Sequence, residues 1–222
     1  MKHVILGDGV AGMSAAEVIR RERPGDRIVV VSDDRQPFYF RASLTNYLMG
    51  ELAPEELWGL PPSAWEQLSL ERRFGRVVGF DPVAQQVRFA EGEALRYDRL
   101  LVATGARARR LETREEDPEH GIDGADLPGV CVMRTLADTQ RIIEALPGTK
   151  HAVVVGGGIL GIEMAQGLRA RNVGVTLVHR KPYLLERTCD RRAAELVATR
   201  MIRDGIDVRL GVEVAEILPG RE

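Results

Sequence analysis

The sequence predicts an α/β fold with two parallel-sheet units in one chain. Three observations carry that prediction. A short aliphatic strand, Val4-Ile5-Leu6, runs directly into a glycine-rich turn, Gly7-Asp8-Gly9-Val10-Ala11-Gly12. The same arrangement returns as Ala152-Val153-Val154-Val155 followed by Gly156-Gly157-Gly158-Ile159-Leu160-Gly161. Between them, a strand through Leu100-Leu101-Val102 ends in Ala103-Thr104-Gly105.

Val4–Leu6 reads as a strand because a continuous aliphatic run fits a parallel sheet buried on both faces. An Ala- and Glu-containing helix is predicted from about Met13 to Glu22, stopped by Pro24-Gly25-Asp26. Arg27–Asp33 is β-branched and apolar, hence a second strand, and it ends on an acid. Strand, glycine turn, helix and strand form one βαβ unit. In the second copy the helix is predicted from about Ile162 to Arg171 and the strand over Val173–Val178. Arg76–Asp81 and Gln86–Phe89 alternate in the manner of a hairpin and predict a β-meander. Leu52–Trp65, with Pro54, Pro61 and Pro62, reads as an irregular excursion with helical turns. The charge-dense stretch after Arg110 reads as a linker. The expected domains are therefore residues 1–110, a linker over 111–126, and a second domain over 127–222.

G-x-G-x-x-G is a weak motif alone. Here each copy follows a strand and opens a helix, the context that gives it meaning. The first glycine permits the tight turn, the second admits a pyrophosphate close to the backbone, and the third lets helix and strand approach. Unpaired N–H groups at the helix start, from Val10 and Ala11 in one copy and Ile159 and Leu160 in the other, attract phosphate. The chain is thus predicted to hold two Rossmann-like dinucleotide-binding domains. In the first, Asp33 stands at a strand end where an acid binds ribose hydroxyls; Asp34, next to it, is the alternative. In the second, no acid follows the strand. His179-Arg180-Lys181 stands there instead, either to hold a 2′-phosphate, which favours NADPH, or as an exposed basic loop.

Composition narrows the function. The 222 residues include 31 Lys and Arg against 33 Asp and Glu, a net charge of −2. That balance argues against a nucleic-acid binder or a polybasic membrane surface. Two separated cysteines, Cys131 and Cys189, make neither a disulfide framework nor a metal site. The apolar run at the start is too short for a signal core, and the longest apolar stretch, 152–162, contains four glycines and is far short of a membrane span. A cytoplasmic protein without metal is expected.

The two fingerprints, the Ala103-Thr104-Gly105 strand and the meander, in this order, resemble the FAD-dependent pyridine nucleotide-disulfide oxidoreductases, the flavoproteins with two dinucleotide-binding domains. The resemblance covers essentially the whole chain. It implies FAD on the first domain and NAD(P)H on the second. It also implies backbone contact of Val77 with adenine, small residues at 103–105 running beside FAD, and Arg41 and Ser43 near the flavin nucleotide. Phe38–Thr45 and the run Leu177–Arg187 are most similar to the FAD/NAD(P)H portion of assimilatory nitrite reductase large subunits and to rubredoxin-reductase-like enzymes. Arg187 joins the second-site candidates on that basis. A histidine at the place of His179 also occurs in relatives using NADH.

The implied chemistry is electron transfer from NAD(P)H through flavin to an external acceptor, a redox protein or a further domain. No cysteine lies in Arg35–Gly50, where many members carry a redox-active one, so dithiol chemistry is not expected. Glu163 is either a contact to the flavin–nicotinamide region or a helix-start carboxylate favoured by the dipole. The lysine that pairs with it in the rubredoxin-reductase branch is replaced by Asn46. Members of the family return to complete the FAD domain after the second fold. The sequence therefore looks truncated, and its first domain discontinuous and incomplete. Weak FAD retention and homo-oligomerisation through uncovered apolar surface are expected. The rival reading is a non-catalytic nucleotide-binding fragment, a scaffold or sensor.

Overall fold

A computed structural model describes residues 1–61, 63–109, 111 and 124–219. By packing, the chain divides into two units: Met1–Phe40 with Glu55–Ala106, and Arg41–Pro54 with Arg107–Glu222. The expected linker over 111–126 lies outside the described residues except for Leu111 and 124–126. Arg41–Pro54, expected in the first domain, groups with the second unit.

The first unit has a parallel sheet ordered β3-β2-β1-β7, from β1 (Lys2–Leu6), β2 (Arg27–Ser32), β3 (Leu70–Phe74) and β7 (Arg99–Val102). Helix α1 (Val10–Glu22) crosses from β1 to β2. β4 (Val77–Asp81), β5 (Gln86–Phe89) and β6 (Leu95–Arg96) form the expected antiparallel meander. Strand alternation sorts the core into two faces. Val4, Leu6, Val29 and Val31 pack with Val87, Phe89, Leu95 and Tyr97 of the meander side. Ile5, Ile28 and Val30 pack with Met13 and Ala16 of α1. Both faces are thus covered, which is why these strands read as unbroken apolar runs; each fully buried side chain contributes roughly 1.5–3 kcal/mol. In the Pro-rich excursion, Pro54–Leu57 is a 3₁₀ turn and Ala64–Gln67 is a short helix, α3.

The second unit has a parallel sheet ordered β10-β9-β8, from β8 (His151–Val155), β9 (Gly174–His179) and β10 (Ile206–Leu210). Helices α5 (Ile159–Ala170) and α6 (Arg191–Arg203) make the crossovers. Helix α2 (Leu44–Met49) lies against α5 and against α4 (Leu136–Ala145). A Cβ at Gly167 would come within 2.9 Å of the Leu48 side chain, so the missing side chain allows this approach. Arg171 Nε then donates to the Leu48 carbonyl at 2.7 Å, capping the end of α2. Helix α4 starts on a full capping box between Thr135 and Asp138.

Three expectations on element limits are corrected. Both nucleotide helices start three residues earlier than predicted, at Val10 and Ile159, because Gly9 and Gly158 serve as their N-caps. Glu163 consequently lies in the second turn of α5, and the first turn holds no acid. Strand β9 extends through His179, drawing that residue out of the predicted loop.

Candidate functional site: two glycine turns

Gly7 has φ +106° and Gly156 has φ +117°, left-handed values that glycine adopts without cost. Gly7 N–H donates to Val31 O at 2.7 Å, and Gly156 N–H donates to Val178 O at 2.9 Å, so each turn hangs from the neighbouring strand. A Cβ at Gly12 or Gly161 would lie 1.9 Å from the carbonyl of the turn's own first glycine. Only glycine closes either loop. Gly9 and Gly158 are both extended, with no side-chain cap on the helix behind them. Neither helix carries an acid in its first turn or a side-chain cap, which leaves the helix-start N–H groups around Val10, Ala11 and Ile159, Leu160 for a ligand. That is the arrangement a phosphate fits, and among the described residues a Cβ at Gly158 would meet open space.

The Ala103-Thr104-Gly105 segment belongs to the first turn. A Cβ at Gly7 would lie 2.3 Å from Ala103 O, and Ala103 N–H donates to Leu6 O at 2.8 Å. The two motifs thus form one backbone surface. Beyond β2, Asp33 is exposed, whereas the Asp34 carboxylate accepts from Gln36 N–H at 3.0 Å and Tyr39 Oη–H at 3.3 Å. Asp33 is thus the more exposed of the two candidate acids. Val77 opens β4 in the same unit; Arg41 and Ser43 bound the 3₁₀ turn of the second unit.

At the second turn His179 is buried. Gly157 N–H donates to its Nδ1 at 3.1 Å, so Nδ1 is the unprotonated nitrogen and Nε2–H donates to Glu186 Oε2 at 3.0 Å. Both ring nitrogens serve the turn, which leaves Arg180 and Lys181, both exposed, as the basic pair past β9. Leu185 N–H donates to Gly157 O at 2.9 Å, binding the loop after β9 to the same glycine. Burial by itself would raise the Glu186 carboxyl. Hydrogen bonds from its own backbone and from His179 outweigh that, and the carboxyl is held below its ordinary range. Arg187 is exposed and Glu163 half-buried.

The first turn carries residues the motif reading passed over. Asp8, buried between Gly7 and Gly9, accepts from Ser32 Oγ–H at 2.8 Å and from Arg72 at 3.1 Å. An acid inside a phosphate-binding turn was the available signal that a cation must stand behind it. Cys131 is exposed, Cys189 half-buried, and both are free thiols. No helix among the described residues is long and apolar enough to cross a membrane.

Comparison with known proteins agrees with this geometry. The chain is 33% identical over 212 residues to the ferredoxin–NAD(+) reductase component of a biphenyl dioxygenase system from Paraburkholderia xenovorans, covering 95% of this chain and 50% of that protein. It is 29% identical over 219 residues to a rubredoxin–NAD(+) reductase from Pseudomonas putida, covering 98% of this chain and 54% of the relative. Among solved structures, a ferredoxin reductase from Rhodopseudomonas palustris superposes with a TM-score of 0.89 at 29% identity, over 99% of this chain and 52% of the other. The chain spans about half the length of these relatives. The pyridine nucleotide-disulphide oxidoreductase pattern matches residues 1–222. With two dinucleotide turns of this build, the chain belongs to that family and shares its cofactors, FAD and NAD(P)H.

Proposed function

We propose that the chain is the nucleotide-binding part of an FAD-dependent NAD(P)H oxidoreductase that delivers electrons to an external acceptor, a redox protein or a further domain. The observation that carries this reading is the presence of two glycine turns of the same geometry in units of different construction. When bound, nicotinamide and flavin supply hydride transfer; the chain supplies binding and orientation. Gly7, Gly9, Val10, Ala11 and Gly12 cradle the FAD pyrophosphate, Asp33 its ribose, and Val77 with Ala103–Gly105 the backbone alongside. Gly156, Gly158, Ile159, Leu160 and Gly161 receive the nicotinamide dinucleotide. Glu163 is assigned to the nicotinamide side. Its place in the second turn of α5 weakens the alternative of a first-turn carboxylate.

The acceptor class follows from the relatives, one a reductase of ferredoxin and one of rubredoxin by name. A nitrite-reductase-like role rests on the resemblance of the run Leu177–Arg187 to that branch; within that run His179, Leu185 and Glu186 build a single structure around Gly157. Arg180 and Lys181, without an acid at the ribose position, favour NADPH.

The test is spectroscopic. The purified 222-residue chain, loaded with FAD, is expected to show flavin absorbance that NADPH bleaches anaerobically faster than NADH does. Arg180→Ala is expected to bring the two rates together by about tenfold. FAD binding without bleaching by either nucleotide would turn the reading into a binding module without turnover.

A further inference from the structure

We propose that Arg72 is a positioning residue of the first nucleotide site, cancelling the charge that Asp8 places inside the phosphate turn and tying that turn to the ribose end of β2. The proposal rests on the reading of this turn as the FAD site. Asp8 occupies the position between the first two glycines, within the ring of N–H groups that would receive a pyrophosphate. Its side chain is 8% exposed. An unpaired carboxylate there would repel the ligand through a poorly screened medium.

The structure supplies the compensation. Arg72 of β3 reaches Asp8 Oδ2 at 3.1 Å, and the same nitrogen donates to Gln36 O at 2.6 Å. Its guanidinium lies 4.9 Å from the Trp65 ring centre and 4.6 Å from that of Phe74. The rings hold it in place, as suits a planar cation. Ser32 Oγ donates to Asp8 Oδ1 and accepts from Asp34 N–H at 3.1 Å. One network therefore runs from the phosphate turn through the end of β2, beside Asp33, to the loop at Gln36.

Two further facts separate this from ordinary packing. Arg72 Nε is buried without a hydrogen-bond partner among the described residues, a cost an apolar side chain in the same slot would not incur. The second turn has Gly157 where the first has Asp8. It carries no charge there, and a neutral histidine holds it.

FAD titration of the 222-residue chain, stripped of flavin, tests the proposal with four variants. Arg72→Met is expected to weaken FAD binding about tenfold or more, since it strands a buried carboxylate against the pyrophosphate. Asp8→Asn keeps an acceptor for Ser32 and is expected to bind FAD at least as tightly as the natural chain. The double variant Asp8→Asn with Arg72→Met is expected to return to within about threefold of it. Arg72→Lys, which keeps the charge, should lose less than Arg72→Met. A merely structural arginine would not be rescued by neutralising Asp8. Natural affinity in Arg72→Met, or a double variant weaker in FAD than Asp8→Asn alone by tenfold, overturns the proposal. That second comparison holds even where Arg72→Met does not fold. Nicotinamide nucleotide binding in each variant reports that the second unit is intact. If the natural chain takes up nicotinamide nucleotide but no FAD, the assignment of the first turn itself has failed, and the proposal falls with it.

Discussion

The first glycine turn is held by charge, the second by a neutral ring. In backbone they are near-copies: a left-handed first glycine, an extended glycine as helix cap, and a third glycine in contact with the first carbonyl. Their supports differ. Asp8 of the turn, Ser32 at the end of β2 and Arg72 in the middle of β3 brace the first, while His179 and Glu186 brace the second from β9 and its following loop. Ser32 and His179 are both the last residue of the strand after the helix. One position in the βαβ unit thus does the same task by two chemistries. The second turn has open space at its first glycine among the described residues, and its brace comes from the end of β9 and the loop after it.

The largest effect that would break the comparison is steric. Gly7→Ala drives a Cβ to 2.3 Å from Ala103 O, whereas the Cβ of Gly156→Ala meets nothing within 4 Å among the described residues. Both incur the left-handed penalty of roughly 1–2 kcal/mol; only Gly7→Ala adds a backbone clash. Unfolding free energies from denaturant curves are expected to fall by several kcal/mol for Gly7→Ala, with loss of FAD, and by about 1–2 kcal/mol for Gly156→Ala. Equal losses would show that the first turn relaxes freely.

A smaller effect tests the neutral brace. His179→Leu leaves Gly157 N–H buried without an acceptor, costing about 1–3 kcal/mol. NAD(P)H binding is expected to weaken roughly tenfold, with FAD occupancy unchanged. A parallel loss of FAD would deny that the two turns are independent.

The smallest concerns pH. Because the Glu186 carboxyl is held low in the folded chain, its contribution is present above the ordinary glutamate value and is lost as pH falls through the folded one. Below about pH 4.5 the natural chain is expected to lose stability more steeply than Glu186→Gln. Superimposable acid unfolding curves would remove Glu186 from the brace.

Local order in the chain determined the two βαβ units, the glycine turns and the meander, and it placed Asp33 just past the end of β2, where we propose it binds ribose. A strand running into glycines and then a helix is a short-range signal, and in the first unit β1 and β2, covered on both faces, show as apolar runs. The helices begin three residues ahead of the sequence prediction because capping by Gly9 and Gly158 depends on backbone angles, not on side-chain type. His179 looked like a loop cation because the charge of its neighbours Arg180 and Lys181 is visible in sequence and the depth of a strand end is not. Only the tertiary structure decided that its ring turns inward to Gly157, and that Arg72 reaches Asp8 across 64 positions of sequence. It also decided that Arg41–Pro54 joins the second unit, through a helix-to-helix fit that needs the bare backbone at Gly167. The physical reason is common to all three. Which side chains meet across a sheet or between helices depends on strand order and element spacing, and neighbouring residues along the chain do not encode these.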